Sequence, residues 1–146
     1  MGKILVENKR AKYDYQIGET YQAGMVLTGG EVKSLRLKQA SLAGAYVQIM
    51  EDETVVLLGA NITPYKFADN RNYDPKRTRR LLLRKKEIKK MIAEKQGKGY
   101  TLVPLKIETE GAFIKLTVGL GRGKKQFEKR ETIKKRDLAR EARQGL

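Results

Sequence analysis

The 146-residue chain contains no cysteine and no histidine. Without cysteine there can be no disulfide, thiolate metal site or thiol nucleophile. Without histidine the chain lacks the commonest general base and the commonest metal ligand. The scattered acids Glu7, Asp14, Glu19 and Glu31 are explained more simply by ion pairing or helix capping than by catalysis. The sequence therefore predicts a non-enzymatic protein with no metal and no other cofactor.

Long apolar segments are also missing. No run of the sequence approaches the eighteen apolar residues that indicate a membrane-spanning helix. The polar start Met1-Gly2-Lys3 does not resemble a signal peptide. We therefore expect a cytoplasmic protein that does not enter a membrane.

Positive charge is abundant, and it is unevenly distributed. Residues 1–75 hold nine Lys/Arg and nine Asp/Glu, whereas residues 76–146 hold 23 Lys/Arg and eight Asp/Glu. The second half therefore carries the whole net charge of +15. A basic face kept only for solubility is the alternative, but solubility does not require segregated charge. The asymmetry favours a nucleic acid as the partner.

Hydrophobic patterning predicts five strands and one strong helix. The strands are expected at 20–28, 45–50, 54–58, 100–108 and 113–120, and the helix at 78–96, with a weaker helix after Gly30. Three strands, a helix and two strands follow the order of an OB-type barrel. The expected fold class is mainly β with accessory helices: an OB-type antiparallel β-barrel followed by a basic C-terminal tail.

Several single residues carry local predictions. Pro104 cannot donate a ladder hydrogen bond, so it indicates an edge or a bulge. The acidic triplet at 51–53 is interpreted as a hairpin turn rather than a metal site, and Tyr21 as a core residue. The glycines at 119–123 lack the spacing of a phosphate-binding loop and are expected to form a flexible exit from the barrel.

The predicted domain boundary lies between an OB-type barrel, residues 1–121, which we expect to bind a nucleic acid, and the tail, residues 122–146. The tail holds ten Lys/Arg, four acids and few large apolar residues. We expect it to be disordered or a fluctuating helix in the free protein and to become helical on its partner. Phe127 stands among charged residues, where its ring could stack on a base; packing against the barrel is the alternative.

Five motifs, in order along the chain, resemble the SsrA-binding (small protein B) family. They are Asn8-Lys9-Arg10-Ala11, Glu31-Val32-Lys33-Ser34-Leu35-Arg36, Gly59-Ala60-Asn61-Ile62-Thr63-Pro64, Arg77-Thr78-Arg79-Arg80-Leu81-Leu82-Leu83 and Gly123-Lys124-Lys125-Gln126-Phe127-Glu128-Lys129-Arg130. The resemblance runs from about Leu5 to beyond Arg130, which is nearly the whole chain.

The resemblance implies a function in bacterial ribosome rescue. Members of this family bind the tRNA-like domain of transfer-messenger RNA (tmRNA), and elongation factor Tu takes part in delivering the complex to stalled ribosomes. The tail then enters the decoding centre and the empty messenger channel, where it contacts small-subunit ribosomal RNA. Trans-translation follows, and the unfinished protein is tagged. Two rivals remain at this stage: an OB-type structural ribosomal protein and a metal-dependent nuclease.

The resemblance also implies which residues contact RNA. The set for tmRNA is Asn8, Lys9, Arg10, Gln22 and Leu82, and the set for the ribosome is Gly123, Lys124, Lys125, Phe127, Glu128, Lys129 and Arg130. The family often has glutamate where this chain has Gln22, so a role that needs a carboxylate would be lost there. The family often has histidine or another ring where Phe127 stands, and usually aspartate where Glu128 stands.

Overall fold

A computed structural model describes residues 2–124 and 126–143, with side chains at 126–128, 131, 132 and 141–143 excluded from the description. The strands are β1 (Ile4–Glu7), β2 (Tyr15–Met25), β3 (Ala40–Ser41), β4 (Tyr46–Ile49), β5 (Val55–Leu58), β6 (Asn61–Ile62), β7 (Arg79–Leu82), β8 (Thr101–Glu110) and β9 (Phe113–Gly123). The helices are α1 (Ala11–Asp14), α2 (Gly29–Arg36), α3 (Lys85–Lys98) and α4 (Gln126–Arg143). Within these ranges no helix is long and apolar enough to cross a membrane.

Seven strands form one antiparallel sheet in the order β1-β8-β9-β2-β7-β5-β4, and β3 pairs with β6 separately. The sheet curls, because β4 at one edge contacts β8 near the other. The predicted class, antiparallel and mainly β with an OB-like order, is confirmed. The predicted barrel is not fully closed, since no ladder joins the edge strands β1 and β4 in the described part of the chain.

The core lies on one face of the curled sheet. Tyr21 and Ala23 of β2 pair with Val118 and Leu116 of β9, and all four are buried. Alternation along β2 places Gln22 on the exposed face. Tyr21 is therefore a core residue, as predicted.

The predicted helix at 78–96 is wrong at its start. Residues Arg79–Leu82 form β7, which pairs with β5 and β2, and the helix begins only at Lys85. Burial along β7 alternates with the period of a strand, since Arg79 and Leu81 are buried and the residue after each of them is exposed. Strand pairing therefore overrides helix propensity in this basic segment.

Other local predictions have mixed outcomes. A bulge follows Pro104 in the β8–β9 ladder, the triplet 51–53 forms the exposed turn between β4 and β5, and α2 follows Thr28; all three agree with expectation. β1 and α1 were not predicted: β1 holds only three consecutive apolar residues and α1 is about one helical turn, so neither shows a clear hydrophobic period.

The glycine-rich run is strand rather than a flexible exit. β9 continues to Gly123, which pairs with Tyr15 of β2. A Cβ on Gly119 would lie 2.8 Å from Cγ2 of Ile17, so glycine lets the two strands pack closely there. Pairing therefore extends two residues beyond the predicted boundary at 121, and residues Gln126–Arg143 form α4. The division into barrel and tail, and disorder of the free tail, stay predictions.

A buried ionic network joins α2 to β7. Glu31 caps α2 together with Thr28, and its side chain is fully buried. Arg79, also fully buried, donates from Nη2 and Nε to Oε2 of Glu31 at 2.6 and 2.9 Å. Arg77 and the Tyr73 hydroxyl also donate to this carboxylate. Glu31 is thus a capping and ion-pairing residue, as expected.

The network shifts the titration of Glu31. Burial on its own would raise the pKa of Glu31, but hydrogen bonds from two arginines and a backbone amide outweigh it and hold that pKa at about 2. An unfolded glutamate has a pKa of about 4.3. The carboxylate therefore stabilises the fold fully above about pH 4.3, and this contribution is lost as the pH falls toward about 2.

We expect the free energy of unfolding to fall steeply between about pH 4.3 and 2, measured by urea denaturation at a series of pH values. Glu31→Gln should remove the part of this slope that Glu31 causes, and it should cost about 3–5 kcal/mol at pH 7 because Arg79 is left buried without its anion. Glu51→Gln, in an exposed turn, is the matched control. An unchanged pH profile in Glu31→Gln would show that other acids dominate.

Candidate nucleic-acid interface

Gln22 and Leu82 lie together on the exposed face of the sheet. Gly24 of β2 pairs with Leu82 of β7, and Gln22 lies two residues along β2 from that pair. Both side chains line one concavity with Arg84 and Lys115. Leu82 is 53% exposed, although a strand leucine is usually buried. The structure therefore brings these two predicted residues into a single surface, the Leu82 groove, defined by Gln22, Leu82, Arg84 and Lys115.

The electrostatics of the Leu82 groove are mixed rather than uniformly positive. Glu87 and Glu110 line it as well. Glu87 is committed to the start of α3, where its Oε1 accepts a hydrogen bond from the Arg84 amide at 3.1 Å. Such a surface suits recognition by shape, apolar contact and directed hydrogen bonds more than by phosphate attraction alone.

Asn8, Lys9 and Arg10 form a separate group between β1 and α1. Nδ2 of Asn8 donates to the Pro104 carbonyl at 2.8 Å, and its backbone N–H donates to the Leu105 carbonyl at 2.8 Å. Asn8 is therefore held at the β8 bulge, whereas Lys9 and Arg10 are exposed. None of these three residues lines the Leu82 groove.

Arg10 and Lys129 both contact Tyr13 and Asp14 of α1. Cζ of Arg10 lies 4.7 Å from the centre of the Tyr13 ring, and Nζ of Lys129 lies 5.5 Å from it. Both cations also approach Oδ1 of Asp14, at 3.4 and 3.5 Å. The Lys124 amide donates to the Asp14 carbonyl at 2.9 Å. We call the contact of Tyr13 and Asp14 with Arg10 and Lys129 the α1–α4 clasp.

The remaining tail residues are described in part. Gly123 ends β9, and Arg130 is exposed on α4. Phe127 and Glu128 belong to α4 by their backbone, but their side chains lie outside the description. Lys125 lies outside the described residues altogether.

Sequence reasoning assigned Arg10 and Lys129 to different partners and missed the clasp. The two residues are far apart in the chain, so only the tertiary contact of α1 with α4 places them on one ring. The one local signal is the spacing of Arg10 and Asp14, which suits an i,i+4 ion pair.

Part of the basic surface of α3 is already neutralised. Nζ of Lys90 lies 2.6 Å from Oε1 of Glu19 on β2. The hydrogen bond from Lys90 lowers the pKa of Glu19, and the same contact raises the pKa of Lys90. Within the described residues, no group of three or more acidic side chains could hold a metal ion.

Comparisons with known proteins agree with one another. The family model described as SmpB protein matches residues 5–146. The SsrA-binding proteins of Halalkalibacterium halodurans and Gloeobacter violaceus are each 46% identical to this chain, over 145 and 144 residues; each alignment covers 99% of this chain and 94% of the relative.

A solved chain is also similar. It belongs to a structure described as "tmRNA-SmpB: a journey to the center of the bacterial ribosome", with a TM-score of 0.67 and 41% sequence identity. The match covers 87% of this chain and 92% of that one.

Asp14→Asn should loosen α4, because it removes the anion shared by Arg10 and Lys129. Of these two ion pairs, only Lys129–Asp14 connects α1 to α4. Such a surface pair contributes up to about 1 kcal/mol, so amide hydrogen exchange in α4 should accelerate by no more than about fivefold. The difference should shrink in 1 M salt, where the Debye length is about 3 Å. Asp69→Asn, which breaks the surface pair with Arg71, is the control. Equal exchange in α4 for both variants would contradict a stabilising clasp.

Proposed function

The chain belongs to the SmpB family of SsrA-binding proteins, and we propose that it binds the tRNA-like domain of tmRNA in trans-translation. The structural observation that carries this proposal is the exposed Leu82 beside Gln22. A large apolar side chain and an amide project from rigid paired strands, next to the cations of Arg84 and Lys115. This combination suits a folded RNA, which offers bases and riboses as well as phosphates.

The binding step needs positioning rather than chemistry. Double-helical parts of RNA are read mainly by shape and by contacts to phosphates and 2′-hydroxyls. Gln22 is able both to donate and to accept a hydrogen bond at such groups. Lys9 and Arg10 supply exposed cations from a second part of the surface. We infer that the protein makes and breaks no covalent bond and needs no cofactor.

We assign a second role to α4. With Gly123–Arg130 it would contact small-subunit ribosomal RNA at the decoding centre and in the empty messenger channel, after delivery with elongation factor Tu in the cytoplasm. The cationic surface of α4 supports this assignment, because exposed Lys and Arg side chains recur along it. Release of the α1–α4 clasp would free Lys129 for that contact. The alternative, a structural ribosomal protein, is not favoured by the family match.

Binding of the isolated tRNA-like domain, measured in the presence of excess ordinary tRNA, tests the first role. We expect preference for the tRNA-like domain, with affinity that falls by a log–log salt slope of about 0.7–0.9 per phosphate contact. Leu82→Ala should weaken binding, because it removes the exposed apolar contact in the groove. Leu37→Ala, similarly exposed at 58% but outside the groove, is the matched control. Equal affinity for both RNAs would defeat the proposal.

Phe127→Ala in the full chain tests the second role. Affinity for the tRNA-like domain should stay within about twofold, whereas tagging on stalled ribosomes should fall markedly if a base stack worth about 1–3 kcal/mol is lost. Leu138→Ala, at an exposed apolar position further along α4, is the control. A large loss of affinity for the tRNA-like domain would show that the two roles are not divided in this way.

A further inference from the structure

Phe113 is an exposed aromatic residue that sequence reasoning did not assign to any site. It begins β9 directly after the β8–β9 turn, and it is 69% exposed. Nζ of Lys115 lies 5.9 Å from the centre of its ring. A ring so exposed contributes little to the core, although full burial of such a side chain is worth about 1.5–3 kcal/mol. The ring is therefore available for contact with another molecule.

A second concavity lies beside this ring. Partly buried Met25, Leu27 and Val32 line it together with exposed Leu82 and Phe113. Gly24 also lines it, and its lack of a side chain leaves space beside Leu82, since a Cβ there would lie 3.4 Å from Cβ of Leu82. The result is an apolar recess bordered on one side by an aromatic ring.

This recess adjoins the Leu82 groove. Leu82 and Lys115 line both concavities, so a ligand in the Leu82 groove has only to extend past these two side chains to reach Phe113. Two cations lie near Phe113. One is Lys115, and the other is Arg36, whose Nη2 donates to the carbonyl of Ala112, the residue before Phe113. A flat apolar ring flanked by cations suits a nucleotide, which has a π face and a phosphate, better than a purely apolar protein segment.

We propose that Phe113 stacks on an unpaired base of the RNA that occupies the Leu82 groove. The inference rests on the proposed function, and it adds a base-stacking residue to the binding surface. Lys115 takes the adjacent phosphate, and the apolar recess excludes water from one edge of the base. Stacking tolerates any base, so the contact adds affinity with little sequence preference.

Tryptophan fluorescence tests the stacking directly, because the chain contains no tryptophan. Phe113→Trp places a single reporter at the proposed contact and keeps a flat ring there. Titration of the full-length variant with the isolated tRNA-like domain of tmRNA should quench this fluorescence, with affinity close to that of the unaltered protein. Phe67→Trp is the matched control: Phe67 is 75% exposed with Nζ of Lys66 5.2 Å from its ring, and it lines neither concavity.

An affinity series then separates stacking from general apolar contact. Phe113→Leu keeps an apolar side chain but removes the ring, and should weaken RNA binding by about five- to 150-fold. The log–log salt slope should stay unchanged, because no cation is removed. Phe67→Leu should bind as the unaltered protein does. Folding of each variant is checked by thermal unfolding.

The outcomes are distinguishable. If the unaltered protein binds but Phe113→Leu binds equally well and the fluorescence of Phe113→Trp is not quenched, stacking is overturned and the proposed function stands. If Phe113→Leu keeps its RNA affinity but loses tagging, the recess serves a protein or ribosomal partner, and the proposal is again overturned. If the unaltered protein does not bind the tRNA-like domain, the proposed function itself fails.

Discussion

The pairing of Arg79 with Glu31 is the constraint on which the exposed surface depends. A fully buried guanidinium is costly unless its hydrogen bonds are met, and here Glu31, Tyr73 and the carbonyls of Ala60 and Pro75 accept them. With Arg79 directed inward, the period of the strand directs Leu81 inward and Leu82 outward. The buried ion pair thus determines that Leu82, rather than Leu81, is exposed and available to a partner.

The hydrogen bonds of the same network connect residues that are distant in the sequence. Glu31 caps α2, Arg79 belongs to β7, and Tyr73 lies in the loop that precedes β7. Because β7 pairs with β2, the network also sets the neighbourhood of Gln22 and Gly24. We therefore expect a substitution at Glu31 to alter the geometry of the Leu82 groove, although Glu31 does not line the groove.

The candidate interface divides into two kinds of surface. The Leu82 groove and the recess beside Phe113 are built on paired strands, and they carry apolar and polar groups together with few cations. The α1–α4 clasp holds its cations against Tyr13 and Asp14, where they lose side-chain freedom but remain partly exposed. The first surface is suited to specific contacts with a folded RNA. The second is suited to replacement of the Asp14 carboxylate by another anion as the partner of Arg10 and Lys129, an exchange that depends on salt.

Composition and pattern alone determined much of this protein. The basic second half, the mainly β class, the core position of Tyr21 and the bulge after Pro104 all follow from residue type and local periodicity. Only the tertiary structure decided that Arg79–Leu82 is a strand, that Gly119 and Gly121 of β9 pack against Ile17, and that Arg10 and Lys129 share one ring. Each of these depends on a partner distant in sequence: β2 and β5 for Arg79–Leu82, Ile17 for the glycines, and α1 for Lys129. Local propensity does not encode such partners.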